Sequence, residues 1–578
     1  MAAAPDKIIR INMKGLTARY EDTPQEWLSL GGRALTSQIV SSEVDPLSHA
    51  LGSKNKLVFA PGLLTGTPAA NSGRLSAGAK SPLTGTIKEA NAGGTAAQAL
   101  AKLGIKAVII EDKPEKGWYG IKITKDGVEI FEEKELVGSG NFQVVEEVMK
   151  RYGQQCSVVT IGPAGEMKML AANISVKDPD GKLRSHGRGG LGAVMGSKGV
   201  KFIAIDPEGA EGIHITDKEA FTQAAKVFSK GVAGHDITKA LAEYGTDVLI
   251  NIIHNAGALP TKNFTKGQFE GHDGIAGETM NKIIKERGGK VRHNCQKGCI
   301  IMCSQVYNDE HGRYKTSGFE YESIWAMGAD CCVDNLDILA EADHWLDDLG
   351  LDTVEIGVAF GVAMDAGVLE FGDGKRMVQI IKEEIAKGTP LGRIIGNGAV
   401  TVGRAYGVTR VPVVKNQAIP AYDPRAIKGI GITYATSTMG ADHTAGYTIA
   451  TNILGSGGNV DPLSKDGQIE LSRNLQIATA AIDSTGLCLF TAFAILDDER
   501  LLPAIVDMIN ARFGAALTVD DVMELGKRVL KMEREFNQRA GFTNEDDRLP
   551  EFFSTEPLPP HNTVWDFSGE EIDSFWDF

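Results

Sequence analysis

The sequence predicts an α+β multidomain protein, with a β-rich N-terminal region over residues 1–207 and two mainly helical regions over 208–415 and 416–578. Three observations carry this reading. Short β-branched or alternating runs bounded by Gly, Pro and Asp fill the first region: IIRINM, KLVFAPG, AVIIED, YGIKITKDGVEIFEE, SVVTIGP and VKFIAID. From Asp217 the apolar period becomes helical, in KEAFTQAAKVFSKGVA, NLDILAEADHWLDDL, TVEIGVAFGVAMDAG and GKRMVQIIKEEIAKG. Near Asn416 a long polar loop, PAYDPRAIKGIGITYATSTMGADHTAG, leads into further helices: QIELSRNLQIATAAI, LLPAIVDMINARF and VMELGKRVLKMEREF. Gly-rich loops are expected at 62–94 and 186–198. The end of the chain is Pro- and acid-rich with aromatics, and Pro557–Phe578 reads as a docking tail.

Composition narrows the function. A chain of 578 residues exceeds one ordinary domain, and 42% hydrophobic residues give it ample core. No run approaches 18 apolar residues, so no membrane span is expected. The start, MAAAPDKIIRINM, lacks the basic segment and apolar stretch of a signal peptide, so a cytoplasmic location is the expectation. The net charge of -15 argues against nucleic acid as a partner. Seven cysteines in so long a chain point to metal ligands rather than a disulfide framework.

One motif occurs twice. Asp347-Asp348-Leu349-Gly350-Leu351-Asp352 and Asp483-Ser484-Thr485-Gly486-Leu487-Cys488 share Asp-x-x-Gly-Leu, 136 residues apart (483 minus 347). In each, the glycine can end a helix in the left-handed conformation, the leucine packs back and the next residue opens a helix. Asp347 and Asp483 would then lie at the mouth of the break. A carboxylate there can accept paired hydrogen bonds from an amino-heterocycle edge, or simply cap a helix. Two copies suggest a ligand with two similar halves.

The second copy ends in Cys488, and Cys295, Cys299 and Cys303 form C-x3-C-x3-C. Three local thiolates and one remote one suit a [4Fe–4S] cluster. Buried apolar cysteines and a zinc site remain alternatives. Cys488 is expected in the first turn of a helix, where the dipole favours thiolate. Cys156, Cys331 and Cys332 read as structural. The loops Gly73-Arg74-Leu75-Ser76, Asn91-Ala92-Gly93-Gly94 and Arg188-Gly189-Gly190-Leu191-Gly192 offer exposed amides that can nest phosphates, with a magnesium ion between two of them.

Together these residues resemble the tungsten-pterin aldehyde:ferredoxin oxidoreductase family over nearly the whole chain. The likeness rests on Ala79-Lys80-Ser81-Pro82-Leu83-Thr84-Gly85-Thr86, Asn91-Ala-Gly-Gly94, Gly162-Pro-Ala-Gly-Glu166, Arg188-Gly-Gly-Leu-Gly-Ala-Val-Met-Gly-Ser-Lys198, Glu320-Tyr321-Glu322, Gly440-Ala-Asp-His443 and both paired turns. It implies a β-rich base that binds two pyranopterins, enclosed by two helical regions. One tungsten (or molybdenum) would be held by both pterins, with Mg2+ bridging their phosphates. Asn91 and the Gly189 carbonyl would ligate magnesium. Arg74, Gly93, Arg188, Asp347, Asp352, Asp483, Leu487 and Leu489 would contact pterin or phosphate. Cys295, Cys299, Cys303 and Cys488 would hold the [4Fe–4S] cluster near one pterin. Glu322 and His443, an acid after an aromatic and a loop histidine on their own, become the acid/base pair, and Tyr321 would orient the substrate.

The implied reaction is oxidation of an aldehyde with water to a carboxylic acid. Electrons would leave to a ferredoxin or a dedicated iron–sulfur subunit, since no flavin or nicotinamide fingerprint is present. A ring reductase resembling class II benzoyl-CoA reductase and a non-catalytic iron–sulfur subunit are the rival readings. Three departures stand out. The first cysteine spacing is x3 where the family has x2, so the loop must bulge by one residue. Val414-Lys415-Asn416-Gln417-Ala418 replaces a family stretch at a channel or partner surface. Glu341-Ala-Asp-His344 matches a pair that some members use for a metal between dimer halves, although a plain surface face explains it as well. A homo- or hetero-oligomer is left open.

Overall fold

The computed structural model describes residues 6–578; the expectation of no leader peptide rests partly on residues 1–5, which lie outside the described segment. The fold is α+β, β-rich to residue 207 and mainly helical beyond. Strands β1 (Lys7–Asn12), β2 (Thr17–Asp22), β3 (Leu57–Pro61), β4 (Leu75–Lys80), β5 (Ile87–Ala92) and β6 (Ile105–Glu111) form one sheet, in the order β2-β1-β6-β3-β4-β5. Strands β7 (Tyr119–Thr124), β8 (Gly127–Glu132), β9 (Ser157–Thr160), β10 (Ile174–Lys177), β11 (Leu183–His186) and β12 (Val200–Ile205) form a second, ordered β8-β7-β12-β9-β10-β11 from its β8 edge.

Adding six to each strand number of the first sheet gives the second. The parallel pairs correspond too: β1 with β6, and β7 with β12. The sequence shows no repeat beyond the paired turns, yet the N-terminal region is two copies of one plan. The sheets share an apolar core in which Ile9, Ile11, Val108 and Ile110 join Val159, Ile174, Val176 and Ile203. Burial of both faces explains the continuous apolar runs of these strands.

The segment 62–94 holds more than loops, since β4 and β5 pair there as a hairpin, Leu75 opposite Ala92. The segment 186–198 likewise contains the helix Leu191–Ser197. The helical region opens where Asp217 caps Lys218–Gly234 by accepting from the Ala220 amide at 2.9 Å. The expected boundary at 415/416 falls in the turn of a small hairpin, in which Val413 pairs with Ala418 and Lys415 and Asn416 take positive φ.

Each Asp-x-x-Gly-Leu turn docks on one copy of the β plan. Gly350 and Gly486 are left-handed helix ends, at φ 76° and 83°. Leu351 and Leu487 are buried behind them. The second turn sits on the end of β3: Leu63 and Leu64 amides donate to the Ser484 and Thr485 carbonyls at 3.1 and 2.8 Å, and the Arg74 amide to Gly486 at 3.1 Å. The first turn sits on the matching end of β9, where the Asn173 amide donates to Gly350 at 2.9 Å and the Asp352 amide to Ala171 at 2.9 Å. Gly62 and Gly162 permit the contact. A Cβ on either would lie 2.0 Å from the Gly486 nitrogen or 2.3 Å from the Leu349 oxygen.

The second residue of each turn caps a neighbouring helix. The helices Gly32–Glu43 and Asn141–Tyr152 begin after Gly31 and Gly140, which have no side chain to cap them. Ser484 Oγ accepts from the Ala34 amide at 3.1 Å, and Asp348 Oδ1 from the Phe142 amide at 3.1 Å. A cap contributes about 1 kcal/mol.

Pro557–Phe578 is not a free docking tail. Leu558, Trp565, Ile572 and Phe575 are buried in the largest core. Lys465 pairs with Glu571 at 2.7 Å, and the Arg473 guanidinium donates to the Phe575 carbonyl at 2.8 Å. Its aromatics are the apolar side of a strap, and its acids bind lysines of the body. Among the described residues no helix is long and apolar enough to cross a membrane.

Candidate active site

A cavity of about 320 Å3 lies where the two turns, both halves of the β-rich region and the loop around His443 meet. Eight of the expected residues line it: Arg74, Asn91, Arg188, Glu322, Asp352, His443, Asp483 and Leu489. One side is charged. Arg33, Arg74, Lys88 and Arg188 supply four buried cations. The cavity's apolar lining comes from Leu249, Tyr447, Phe490, Phe493 and Leu496, with Phe493 packed against Tyr447 and Phe490.

The cations are held in place from behind. Arg33 binds Glu533 through two bonds, at 3.0 and 2.8 Å, and reaches Asp483 at 3.4 Å. Arg188 bonds Asp352 at 3.2 Å and the carbonyls of Ala441 and Ala418 at 2.8 and 2.7 Å. Lys88 runs past Gly189, where a Cβ would meet its chain at 2.6 Å, and reaches Asp442 at 3.4 Å. Burial pushes the Asp442 carboxyl up, but Lys88 and Arg188 outweigh it and hold it below the usual range. Asp483 accepts from Asn91 at 3.3 Å, and burial pushes it up to about 6 against the pull of Arg33. Glu89 is pushed up to about 8 by burial and by Asp483. Arg74 Nε is buried without a partner.

Glu322 and His443 come together from elements 121 residues apart (443 minus 322). His443 Nε2 lies 2.9 Å from Glu322 Oε1. Tyr422 donates to the same oxygen at 3.3 Å and touches the Tyr447 hydroxyl at 2.8 Å. Burial raises Glu322, but the charge and hydrogen bond of His443 reverse the balance and keep it below the ordinary carboxylate value. His443 Nδ1 is buried without a hydrogen-bond partner.

Not every expected residue reaches the cavity. Tyr321 is fully buried and its hydroxyl donates to the Ala421 carbonyl at 2.8 Å, so it cannot orient a substrate; Tyr447 lines the cavity instead. Asp347 stands off the cavity beside Asp343, and burial and that neighbour push it well up. Leu487 is core. The Gly189 carbonyl accepts from Ser81 at 2.7 Å, and Gly189 is not among the residues that line the cavity. Gly93 faces the cysteines: a Cβ there would meet Cys295 Sγ at 3.2 Å.

The four thiols gather behind Arg74. One Arg74 nitrogen is 3.9 Å from Cys488 Sγ, and the charges of Cys488, Cys295 and Cys303 act on its guanidinium. Cys299 accepts from the Met302 amide at 3.3 Å and from Asn71 at 3.4 Å. A hydrogen bond from Cys295 holds Cys299 low and keeps Cys295 well above the ordinary thiol value. Burial also raises Cys303 and Cys488. Cys488 is the N-cap of the 3-10 turn Leu489–Thr491, which runs directly into the helix Ala492–Asp497, and burial nevertheless raises its thiol above the ordinary value. The extra residue of the first spacing is taken up by the exposed turn Lys297–Gly298, with Gly298 at φ 79°.

Two departures resolve. In Val414–Ala418 the residues Val414, Gln417 and Ala418 are buried and the Ala418 carbonyl supports Arg188, while Asn416 is exposed at the turn. Glu341 is occupied by Lys315, by Lys382 at 3.4 Å and by the Trp345 indole at 3.0 Å, while His344 stacks on Phe142 at 4.8 Å. That pair does not fit a shared metal.

Comparison with known proteins decides the family. The description "Aldehyde ferredoxin oxidoreductase, N-terminal domain" matches residues 8–207, and "Aldehyde ferredoxin oxidoreductase, domains 2 & 3" matches 223–573. The chain belongs to the aldehyde ferredoxin oxidoreductase family. It is 36% identical over 579 residues to the tungsten-containing aldehyde ferredoxin oxidoreductase of Pyrococcus furiosus, covering 96% of this chain and 92% of the relative. A Thermococcus kodakarensis protein of the same description is 36% identical over 578 residues, with the same coverage. The fold also matches the active site complex of benzoyl coenzyme A reductase with 1,5-dienoyl-CoA, at TM-score 0.81 and 18% identity, over 99% of this chain and 94% of that one.

Within this oxidoreductase, sequence reasoning missed Arg33, Lys88, Glu89, Asp442 and Tyr447. Lys88 and Glu89 carried a signal. Two charges inside an otherwise regular strand, between two glycine loops, mark a strand end turned toward a ligand.

Proposed function

We propose that this oxidoreductase converts aldehydes to carboxylic acids with water, at a tungsten (or molybdenum) centre held by two pyranopterins in the cavity. The observation that carries the reading is the Glu322–His443 pair, 2.9 Å apart, between a cationic rim and an apolar wall. When bound, the metal centre would accept two electrons from the aldehyde carbon as oxygen from water is added. The chain's own residues do the rest. Glu322, kept ionised by His443, takes a proton from water. With both ring nitrogens protonated, His443 would donate Nε2–H to Glu322 and Nδ1–H, which has no other partner, to the aldehyde oxygen. The apolar lining of Leu249, Phe490, Phe493 and Leu496 suits an aromatic or aliphatic aldehyde.

Arg33, Arg74, Lys88 and Arg188 fit phosphate-bearing cofactors, and the unpartnered Arg74 Nε supports an anion beside it. Asn91 would hold magnesium; the Gly189 carbonyl, already bonded to Ser81, is the weaker candidate. Asp483 and Asp352 would contact one pterin each. The four cysteines would hold a [4Fe–4S] cluster, whose positive charge would convert thiols raised by burial into thiolates. The cluster would supply single-electron transfer to a ferredoxin or an iron–sulfur subunit, and Arg74, 3.9 Å from Cys488 Sγ, would stand beside it. The test is anaerobic production with tungstate, metal analysis and turnover with a viologen dye. About one tungsten and about four irons per chain, with aldehyde-dependent dye reduction, are expected. No tungsten or molybdenum, or activity on benzoyl-CoA alone, would refute the proposal.

A further inference from the structure

The local cysteine loop and the remote cysteine meet on one residue, Asn71. It lies between β3 and β4, is fully buried and holds φ at 59°. That left-handed backbone is uncommon outside glycine, and asparagine tolerates it better than most residues. Its amide donates to the Gly298 carbonyl at 3.1 Å, and its carbonyl accepts from the Cys488 amide at 2.9 Å. Its side-chain oxygen accepts from the Ile300 amide at 3.2 Å, and Nδ2 donates to Cys299 Sγ at 3.4 Å.

The backbone pair of bonds ties the exposed turn that absorbs the extra loop residue to the segment carrying Cys488. The side-chain pair fixes which way the amide points. The Ile300 N–H requires an oxygen, so the NH2 group must face the sulfur. Cys299 Sγ also accepts from the Met302 amide at 3.3 Å. The hydrogen bond from the Cys295 thiol to the same sulfur disappears once metal binding takes the thiol protons, whereas both N–H donors stay. A thiolate becomes more negative when the metal group it ligates takes up an electron. An N–H dipole aimed at that sulfur therefore stabilises the reduced form more than the oxidised one, and hydrogen bonds to sulfur are one of the levers on an iron–sulfur potential.

We propose that Asn71 is a positioning residue for the iron–sulfur group: its backbone clasps the Cys299 loop to Cys488, and its Nδ2–H, given to Cys299 Sγ, raises the reduction potential. The inference rests on the [4Fe–4S] reading above. Asn71 acts through Cys299 and concerns the exit of electrons, not the oxidation of the substrate.

The test reads the cluster rather than turnover. Asn71→Gly keeps the backbone, because glycine adopts a φ of 59° freely, and removes the donor. Wild type and variant are made anaerobically with tungstate and titrated with a reductant while the EPR signal of the reduced cluster is followed. Asn71→Gly should hold about four irons per chain, as the wild type does. Its one-electron reduction equilibrium should shift about tenfold towards the oxidised form, which is about 59 mV more negative. Full iron with the wild-type potential overturns the proposal. If Asn71→Gly loses iron, the wild type decides: with asparagine carrying nitrogen-15 in its side-chain amide, pulsed EPR of the reduced cluster should show a nitrogen coupling that changes with the label, and an unchanged spectrum overturns the proposal. Wild-type protein that binds tungsten but no iron would refute the cluster reading and this inference with it. Wild-type protein inactive on aldehydes but with its iron in place would refute only the aldehyde reading, and the potentials would still report on Asn71.

Discussion

Adding one methyl group at Gly62 should damage the thiol cluster from a distance. A Cβ there would stand 2.0 Å from the Gly486 nitrogen and 2.2 Å from its Cα, whereas ordinary contact begins near 3.4 Å. The obstacle is backbone, so the turn must retreat by about 1.4 Å (3.4 minus 2.0). That retreat breaks the bonds from Leu63, Leu64 and Arg74 to the turn. At about 1 kcal/mol net each, the loss is roughly 3 kcal/mol. Cys488, two residues beyond Gly486, moves with the turn. Gly162→Ala is the internal control, because its Cβ meets Leu349 oxygen at 2.3 Å and threatens two bonds, from Asn173 and Asp352, for roughly 2 kcal/mol. That turn carries no cysteine. Urea unfolding and iron per chain are the readouts. G62A should lose both stability and iron, and G162A stability alone. Wild-type stability and iron in G62A, or equal iron loss in both, would refute the reasoning.

Further outcomes follow from the site. His443→Asn leaves burial as the main influence on Glu322, so its pKa rises, and the acid limb of the kcat/KM profile should move up by about one pH unit or more. In the wild type Glu322 sits below its unfolded value of 4.5, so its contribution to stability is present at neutral pH and is lost as pH falls through the folded value. Arg33→Met leaves Glu533 buried without its partner and should cost roughly 3–5 kcal/mol in chemical unfolding, part of it recovered in R33M/E533Q. Cys488→Ser should lower iron per chain and abolish dye reduction while tungsten content persists, as metal analysis would show.

Most strands and long helices were legible because their pattern is local. AVIIED and SVVTIGP announce buried strands, and the helix Leu336–Leu349 shows its apolar face in sequence. The paired turns were legible for the same reason, since a left-handed glycine and a packed leucine are local chemistry. What was hidden depends on distant partners. The hairpin of LSAGAK and IKEANA has one β-branched residue, Ile87, and its Lys88 and Glu89 face a cavity whose other walls come from residues 352 and 442. The helix Gly32–Glu43 has no cap of its own because Ser484 supplies it. The tail read as a docking element because its acids are visible in sequence and the lysines they bind are not nearby. Tyr321 and Tyr422 could not be told apart by sequence; packing alone sends one hydroxyl to a carbonyl and the other to Glu322.

The docking of the two turns also orders the protein's synthesis. The seat at β9 is filled once residues 347–352 have left the ribosome. The seat at β3 waits for residue 486, which is 424 positions after Gly62 (486 minus 62). Until then the end of β3 lacks its cover and Cys295, Cys299 and Cys303 lack their fourth companion. The nascent chain therefore passes through a long interval in which one half of the cradle is shut and the other open. The emergence of Cys488 with the second turn is what closes it.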